Sequence, residues 1–301
     1  MREWLEYAAA WSLLKGLGLL PRSGALAVGR AIGIVGYWVA GGLKRTGRTN
    51  LELAFPEKSD AERERILRNS FINLGRGLGE FSQLPKLTTP EDAYRTMKFV
   101  GRPIIMAAIE RGKGVLFLTG HLGAWELKPF CLHLSGAPRV NFLVRRIDNP
   151  RVEALVERYR IAGGNRSIDK KAAARTTLQA LADGEMVGIL ADLNTLDNEG
   201  VFVDFFGVAA STTTGLATFA LRTEAAVVPV FTYWDEAEGR YVLHFEEPME
   251  VVRTGSKEDD IAVNTQRFTA VVERFVREHP DEWLWIHKRW KTRPPGESPI
   301  Y

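Results

Sequence analysis

The chain has 301 residues, of which 45% are hydrophobic and 26% charged. That is a globular composition with enough length for a sizeable core, and it excludes a disordered chain, a collagen-like chain and a multi-span membrane protein. With 40 basic and 37 acidic residues the net charge is only +3, which argues against a dedicated nucleic-acid binder, and the single Cys131 allows neither an intrachain disulfide nor an all-cysteine zinc site.

The basic excess is local. Residues 1–50 hold seven basic residues against Glu3 and Glu6, and they are rich in apolar, aromatic and glycine positions. The longest uncharged run, Ala31 to Leu43, has thirteen residues, whereas a bilayer-spanning helix needs roughly 20. Glu3, Glu6 and Lys15 also spoil a signal-peptide pattern. Apolar helices carrying Lys and Arg, with Trp4, Trp11, Tyr37 and Trp38 interleaved, suit an anionic membrane surface. A basic helical hairpin packed on the rest of the protein fits the same pattern.

Next, Ser59 and Glu62 form a capping-box signal before Leu67, Phe71, Leu74, Leu78 and Phe81, the apolar face of a helix. Gly75, Gly77 and Gly79 on that helix point to close packing or a broken end. Gly114–Thr119 and Val140–Val144 read as buried strands, followed by helices from about Arg151 to Ala162 and about Lys170 to Ala182. Met186–Leu190, Val227–Trp234 and Tyr241–Phe245 continue the strands. The last two are expected to pair antiparallel across the short turn Glu236–Gly239. A helix from about Ile261 to Glu278 follows. Alternating strands and helices predict an α/β fold with a mostly parallel mixed sheet flanked by helices. The expected organisation is an N-terminal membrane-associated helical segment, 1–50, and an α/β domain, 51–301.

Ligands in such folds bind beyond the carboxyl ends of the strands. The first strand runs into Thr119-Gly-His-Leu-Gly-Ala-Trp-Glu126. If His121 sits in the turn and Glu126 in the first helical turn, the carboxylate can orient the imidazole as a general base toward a hydroxyl. The other reading is an N-capped helix with a structural histidine. Asp192, after the strand Met186–Leu190, either orients a substrate or caps the next turn. Gly200–Gly207 and Ser211–Gly215 either line a groove for an apolar chain or form core and a helix N-cap at a threonine. Cys131 and His133 read as structural helix residues. Nucleophile-elbow, dinucleotide, P-loop and H-E-x-x-H motifs are absent from the sequence. At the end of the chain Trp283, Trp285 and Trp290 interleave with His287, Lys288, Arg289, Lys291 and Arg293. That pattern suits lipid headgroups, RNA, or tryptophans packed on the sheet.

Four blocks resemble the bacterial lipid A biosynthesis acyltransferases of the lauroyl/myristoyl transferase type, within the lysophospholipid acyltransferase-like superfamily. They are Thr119–Glu126; Arg158-Tyr-Arg160 running to Asn165–Asp169; Asp192 with Val201–Gly207 and Thr212–Gly215; and Trp285-Ile-His-Lys-Arg-Trp-Lys-Thr-Arg-Pro294. Asn50–Pro56 resembles the family's segment after the membrane anchor. The resemblance implies acyl transfer from an acyl-carrier-protein or coenzyme A thioester to a hydroxyl of a glycolipid acceptor, at the cytoplasmic face of the inner membrane. It places the family's H-x4-[DE] motif on His121 and Glu126 and its arginine on Arg160, with Arg158 as the competing alignment. Asp192 falls in one of the matching blocks and is a substrate-binding candidate; the tetrahedral oxyanion of such a transfer needs donors, and amides at the helix N-terminus near Gly123 are the candidates. It implies no metal, no cofactor beyond the thioester co-substrate, and no nucleic-acid partner. The chain departs from the family at Asp192-Leu193, where Gln or His commonly follows the Asp, and in its short N-terminal anchor. A thioester hydrolase and a non-catalytic lipid-binding protein are the alternatives.

Overall fold

The computed structural model describes residues 1–301 except 145, 170–172 and 197–198. It opens on four helices: α1 (Arg2–Leu19), α2 (Arg22–Val39), α3 (Gly41–Ala54) and α4 (Asp60–Gln83). α4 begins where the sequence signals it. Ser59 accepts from the Glu62 amide, and the Glu62 carboxylate accepts from the Ser59 amide at 2.9 Å. There follow α5 (Pro90–Thr96), β1 (Met97–Val100), α6 (Arg102–Glu110), β2 (Val115–Thr119), α7 (Leu127–Leu134) and β3 (Val140–Val144). Then come α8 (Pro150–Arg160), β4 (Arg166–Asp169), α9 (Ala173–Ala182), β5 (Met186–Leu190), β6 (Gly200–Phe205) and β7 (Val208–Thr213). α10 (Gly215–Arg222), β8 (Ala226–Asp235), β9 (Arg240–Phe245) and α11 (Lys257–Glu278) complete the regular elements. The helix expected from about Lys170 begins, in the described residues, at Ala173; positions 170–172 lie outside them.

Seven strands form one sheet in the order β1-β9-β8-β2-β5-β3-β4. β8 and β9 pair antiparallel, as their short turn requires, and the other pairs are parallel. β2 lies inside the sheet and all five of its residues are buried, which is why it reads as an unbroken apolar run. Side chains alternate between faces. Leu116 and Leu118 join a core with Val187, Phe231, Phe275 and the C-terminal tryptophans, whereas Val115 and Phe117 join a second core with Phe130, Val140 and Leu243. The sheet is thus sandwiched between two helical layers.

β1 and β4 were not foreseen. Both are short outer strands, and β4 carries the polar sequence Arg-Ser-Ile-Asp. β6 and β7 form a separate antiparallel hairpin rather than a groove wall. Phe205 and Phe206 are buried against Trp283, Trp285 and Trp290, so the core reading of that segment is the correct one.

The N-terminal helices share the main core. α3 runs through residue 50, the expected domain boundary, and its Leu51 and Ala54 belong to the same cluster as Leu116. α2 packs on α4 with backbones nearly touching: a methyl added at Gly29 would lie 2.2 Å from the Gly75 carbonyl oxygen, and one at Gly79 2.7 Å from that of Ala25. Close packing therefore explains Gly75 and Gly79. Among the described residues no single helix is long and apolar enough to cross a membrane. α2 and α3, bent by 87°, reach that length and composition only as a pair.

Candidate active site

β2 ends at Thr119, and the chain turns at Gly120 to place His121 above the sheet, opposite the end of β5, where Asp192 follows Ala191. The two ends are joined by His121. Its backbone N–H donates to Asp192 Oδ2 at 2.7 Å, and its Nδ1 lies 2.8 Å from Asp192 Oδ1. A third donor, the indole N–H of Trp283, reaches Asp192 Oδ2 at 2.8 Å. Burial raises the Asp192 pKa, but the His121 charge and these hydrogen bonds outweigh it and bring it down to about 2. An ionised carboxylate only accepts, so Nδ1 carries a proton, and in the neutral imidazole the lone pair is then on Nε2. That is the arrangement of a general base with its orienting acid.

The carboxylate that contacts His121 is therefore Asp192, and the expected His121–Glu126 pair is not the contact made. Glu126, the N-cap residue of α7, holds Arg160 in a fork instead. Arg160 Nε lies 3.1 and 3.0 Å from the two carboxylate oxygens and Nη2 2.6 Å from Oε1. Burial disfavours the Arg160 cation, but Glu126 more than offsets it and raises its pKa. The remaining terminal nitrogen, Nη1, is buried without a partner among the described residues. Both Arg158 and Arg160 occupy the last turn of α8, but two residues on a helix differ by about 200° in direction. Arg158 turns outward beside Glu3 and Tyr7 of α1, and only Arg160 reaches the site. Gly123 is also reassigned. Its N–H donates to the Glu282 carbonyl at 3.1 Å, and its φ of +55° sets it close against Thr232. Its amide is thus committed to holding the loop, not offered to an oxyanion.

A cavity of about 320 Å³ lies beside His121, between the sheet and α7, at the lower end of roughly 300–1,000 Å³ for ligand sites. Its floor is apolar: Phe117, Phe142, Gly188, Val230 and Leu243. Its rim carries His121, Trp125, Glu126 and Arg160. Lys128 enters from α7, buried, and donates to the Thr119 hydroxyl. Burial outweighs the pull of Asp192 and Glu126 and lowers its pKa to about 7. Sequence reasoning passed over Lys128, since a lysine near a helix start signals nothing by itself.

It also missed the role of Trp283. Trp283, Trp285 and Trp290 are fully buried, as is Arg289, so the structural reading of the C-terminal block replaces the headgroup and RNA readings for these residues. Among the described residues Arg289 has no carboxylate partner. Its Nη1 donates to the Ser211 carbonyl at 2.7 Å and its guanidinium lies 5.0 Å from the centre of the Phe205 ring. Burial lowers its pKa to about 10. His287, close enough to feel Asp192 and His121, is driven by burial to about 4 and stays neutral. Its carbonyl and that of Trp285 accept from Asn50 at 2.7 and 2.6 Å, tying the N-terminal helices to the loop behind the site.

The sequence model described as "Bacterial lipid A biosynthesis acyltransferase" matches residues 1–292. The chain belongs to this family. Among curated relatives, a lipid A biosynthesis myristoyltransferase of Escherichia coli is 28% identical over 303 residues, covering 98% of this chain and 91% of its own. A lipid A biosynthesis lauroyltransferase of the same organism is 29% identical, covering 84% and 80%. A lipid A biosynthesis acyltransferase of Haemophilus influenzae is 26% identical, covering 88% and 82%. In this acyltransferase the described residues offer no group of three His, Cys, Asp or Glu side chains that could hold a metal.

Proposed function

We propose that the protein transfers a fatty acyl chain from an acyl-carrier-protein or coenzyme A thioester to a hydroxyl of a lipid A precursor. The single observation that carries the mechanism is the His121–Asp192 pair at the mouth of an apolar cavity. The donor's acyl chain lies in that cavity with its thioester carbonyl at the rim. His121 Nε2 takes the proton of the acceptor hydroxyl as the oxygen attacks the carbonyl carbon. Asp192 fixes the tautomer and stabilises the imidazolium. The tetrahedral oxyanion faces Arg160, whose free Nη1 is the candidate donor, and Glu126 orients that arginine. The intermediate collapses by breaking the carbon–sulfur bond, and the thiolate leaves with the proton from His121. No step requires a metal or a covalent acyl-enzyme.

We place the enzyme at the cytoplasmic face of the inner membrane, bound through its N-terminal helices. Trp4, Leu5, Trp11, Val35, Trp38 and Val39 are exposed there among basic residues, a composition suited to an anionic interface.

The test supplies acyl-carrier-protein and acyl-coenzyme A donors with a lipid A precursor and reads products by mass. A heavier lipid formed by the wild type and absent with His121→Ala supports transfer. Free fatty acid without acylated lipid would make it a hydrolase. Full biological function of His121→Ala would point to a lipid-binding protein.

A further inference from the structure

A second apolar cavity, about 440 Å³, lies between α1, α4, α7 and α8. Trp125, Glu126 and Arg160 line both cavities, so the two meet at these residues. His121 lines only the first. The second is walled by leucines and phenylalanine from α1 and α4, and its charged groups are few. Glu126 and Arg160 neutralise each other at its inner end, and Glu80 is paired with Arg22.

Gly77 opens this space. Glycine inside a helix costs about 1 kcal/mol relative to alanine, so its presence calls for a reason. Gly75 and Gly79 have one in the contact with α2. Gly77 points about 200° away from Gly75, into the cavity, where an added methyl would meet no atom within 4 Å. Close packing therefore cannot account for it, whereas an open cavity can. At the outer end Leu13 and Ile147 line the cavity and are also exposed to solvent. The mouth thus has an apolar rim, continuous with the exposed apolar residues of α1.

We infer that this second cavity takes an acyl chain already carried by the acceptor lipid, so that the acceptor hydroxyl reaches His121 past Trp125, Glu126 and Arg160, from the side opposite the donor chain. The inference rests on the acyl-transfer reading and extends it. The occupant is the acceptor's chain rather than the donor's, for two reasons. The cavity containing His121 already receives the thioester end of the donor. The second mouth opens beside α1, the helix whose outer face is apolar and exposed, and a lipid leaving a bilayer meets that face first.

The test is a graded series, Gly77→Ala, Gly77→Leu and Gly77→Phe, assayed with an acyl-carrier-protein donor and a lipid A precursor extracted from a Gram-negative envelope. Replacing glycine on α4 leaves the fold intact, checked by thermal unfolding at or above the wild-type midpoint. KM for the acceptor should rise with side-chain size, by about tenfold or more at phenylalanine. KM for the donor and the preferred donor chain length should not move. A shifted donor preference at constant acceptor KM would overturn the assignment by giving this cavity to the donor chain. An acceptor KM identical across the series would overturn it as well. A wild type that acylates no lipid in this assay would instead count against the acyl-transfer reading, and the cavity assignment would fall with it.

Discussion

Among the described residues Asp192 receives three hydrogen bonds, two of them from His121. Asp192→Asn presents an amide that can donate to Nδ1 and strand the proton on Nε2. kcat should fall by about 10²–10⁴, with KM for the donor little changed. Glu126→Gln loosens Arg160 and leaves the base intact, so the pH dependence of the residual rate should match that of the wild type. Rate–pH profiles of the two variants separate these roles. With its carboxyl held at about 2, Asp192 stays ionised throughout the working range and cannot itself set an acid limb. Glu282 behaves oppositely. Burial raises its pKa to about 7, against the pull of Arg76. Between the ordinary glutamate value and 7 the folded state holds a proton that the unfolded chain has released, so Glu282 subtracts more stability as pH rises through that window. Glu282→Gln should remove this loss, raising the melting temperature relative to wild type more at pH 8 than at pH 5. At this scale His121, Glu126, Arg160 and Asp192 were all legible as candidates. Which carboxylate meets which cation was not, because β2 and β5 are neighbours in the sheet while His121 and Asp192 stand 71 residues apart in the chain.

Elements decide what reaches the site. β5 contributes Gly188 to the cavity floor, where an added methyl would meet only ordinary contacts at 3.8 and 3.9 Å. Gly188→Val should therefore fold and shorten the donor chain the enzyme prefers, read by competition between acyl donors of different length. Gly75→Ala should behave differently, since its methyl would lie 2.1 Å from the Gly29 carbonyl oxygen. Overpacking of this kind costs about 1–3 kcal/mol, measurable by denaturant unfolding. The α4 cap and the buried strands were legible because capping and periodicity are local. The β6–β7 hairpin was not. Its two-residue turn is Phe206-Gly207, and Phe206 adopts a φ of +58°, a conformation associated with Gly, Asn and Asp. Its ring is buried against Phe55 and Trp285, and that packing holds a turn which local propensity disfavours.

Across the whole molecule the N-terminal helices meet the C-terminal segment at Asn50, whose side chain bonds the Trp285 and His287 carbonyls and the Tyr301 hydroxyl. The same helices face outward with apolar side chains. The N-terminal helices therefore support the loop behind Asp192 through α3 and present tryptophans to solvent from α1 and α2. Flotation with vesicles containing anionic lipid should capture the protein. Capture should weaken as salt rises, because the basic residues act through screened attraction, and weaken further in Trp4→Asp and Trp11→Asp. Uncharged vesicles binding equally well at every salt concentration would contradict the basic contribution.

By itself the sequence determined the α/β class, the strands β2, β3, β5, β8 and β9, the helices α4, α8, α9 and α11, and the absence of a long uncharged span. These follow from local rules of period, capping and charge. Only the tertiary structure decided that Asp192 contacts His121, that Glu126 contacts Arg160, and that Arg158 faces away. It likewise decided that the C-terminal tryptophans are core and that Gly77 opens a cavity. Each of these depends on which side chains from distant segments share one small volume, and that is set by sheet order and helix packing rather than by spacing along the chain.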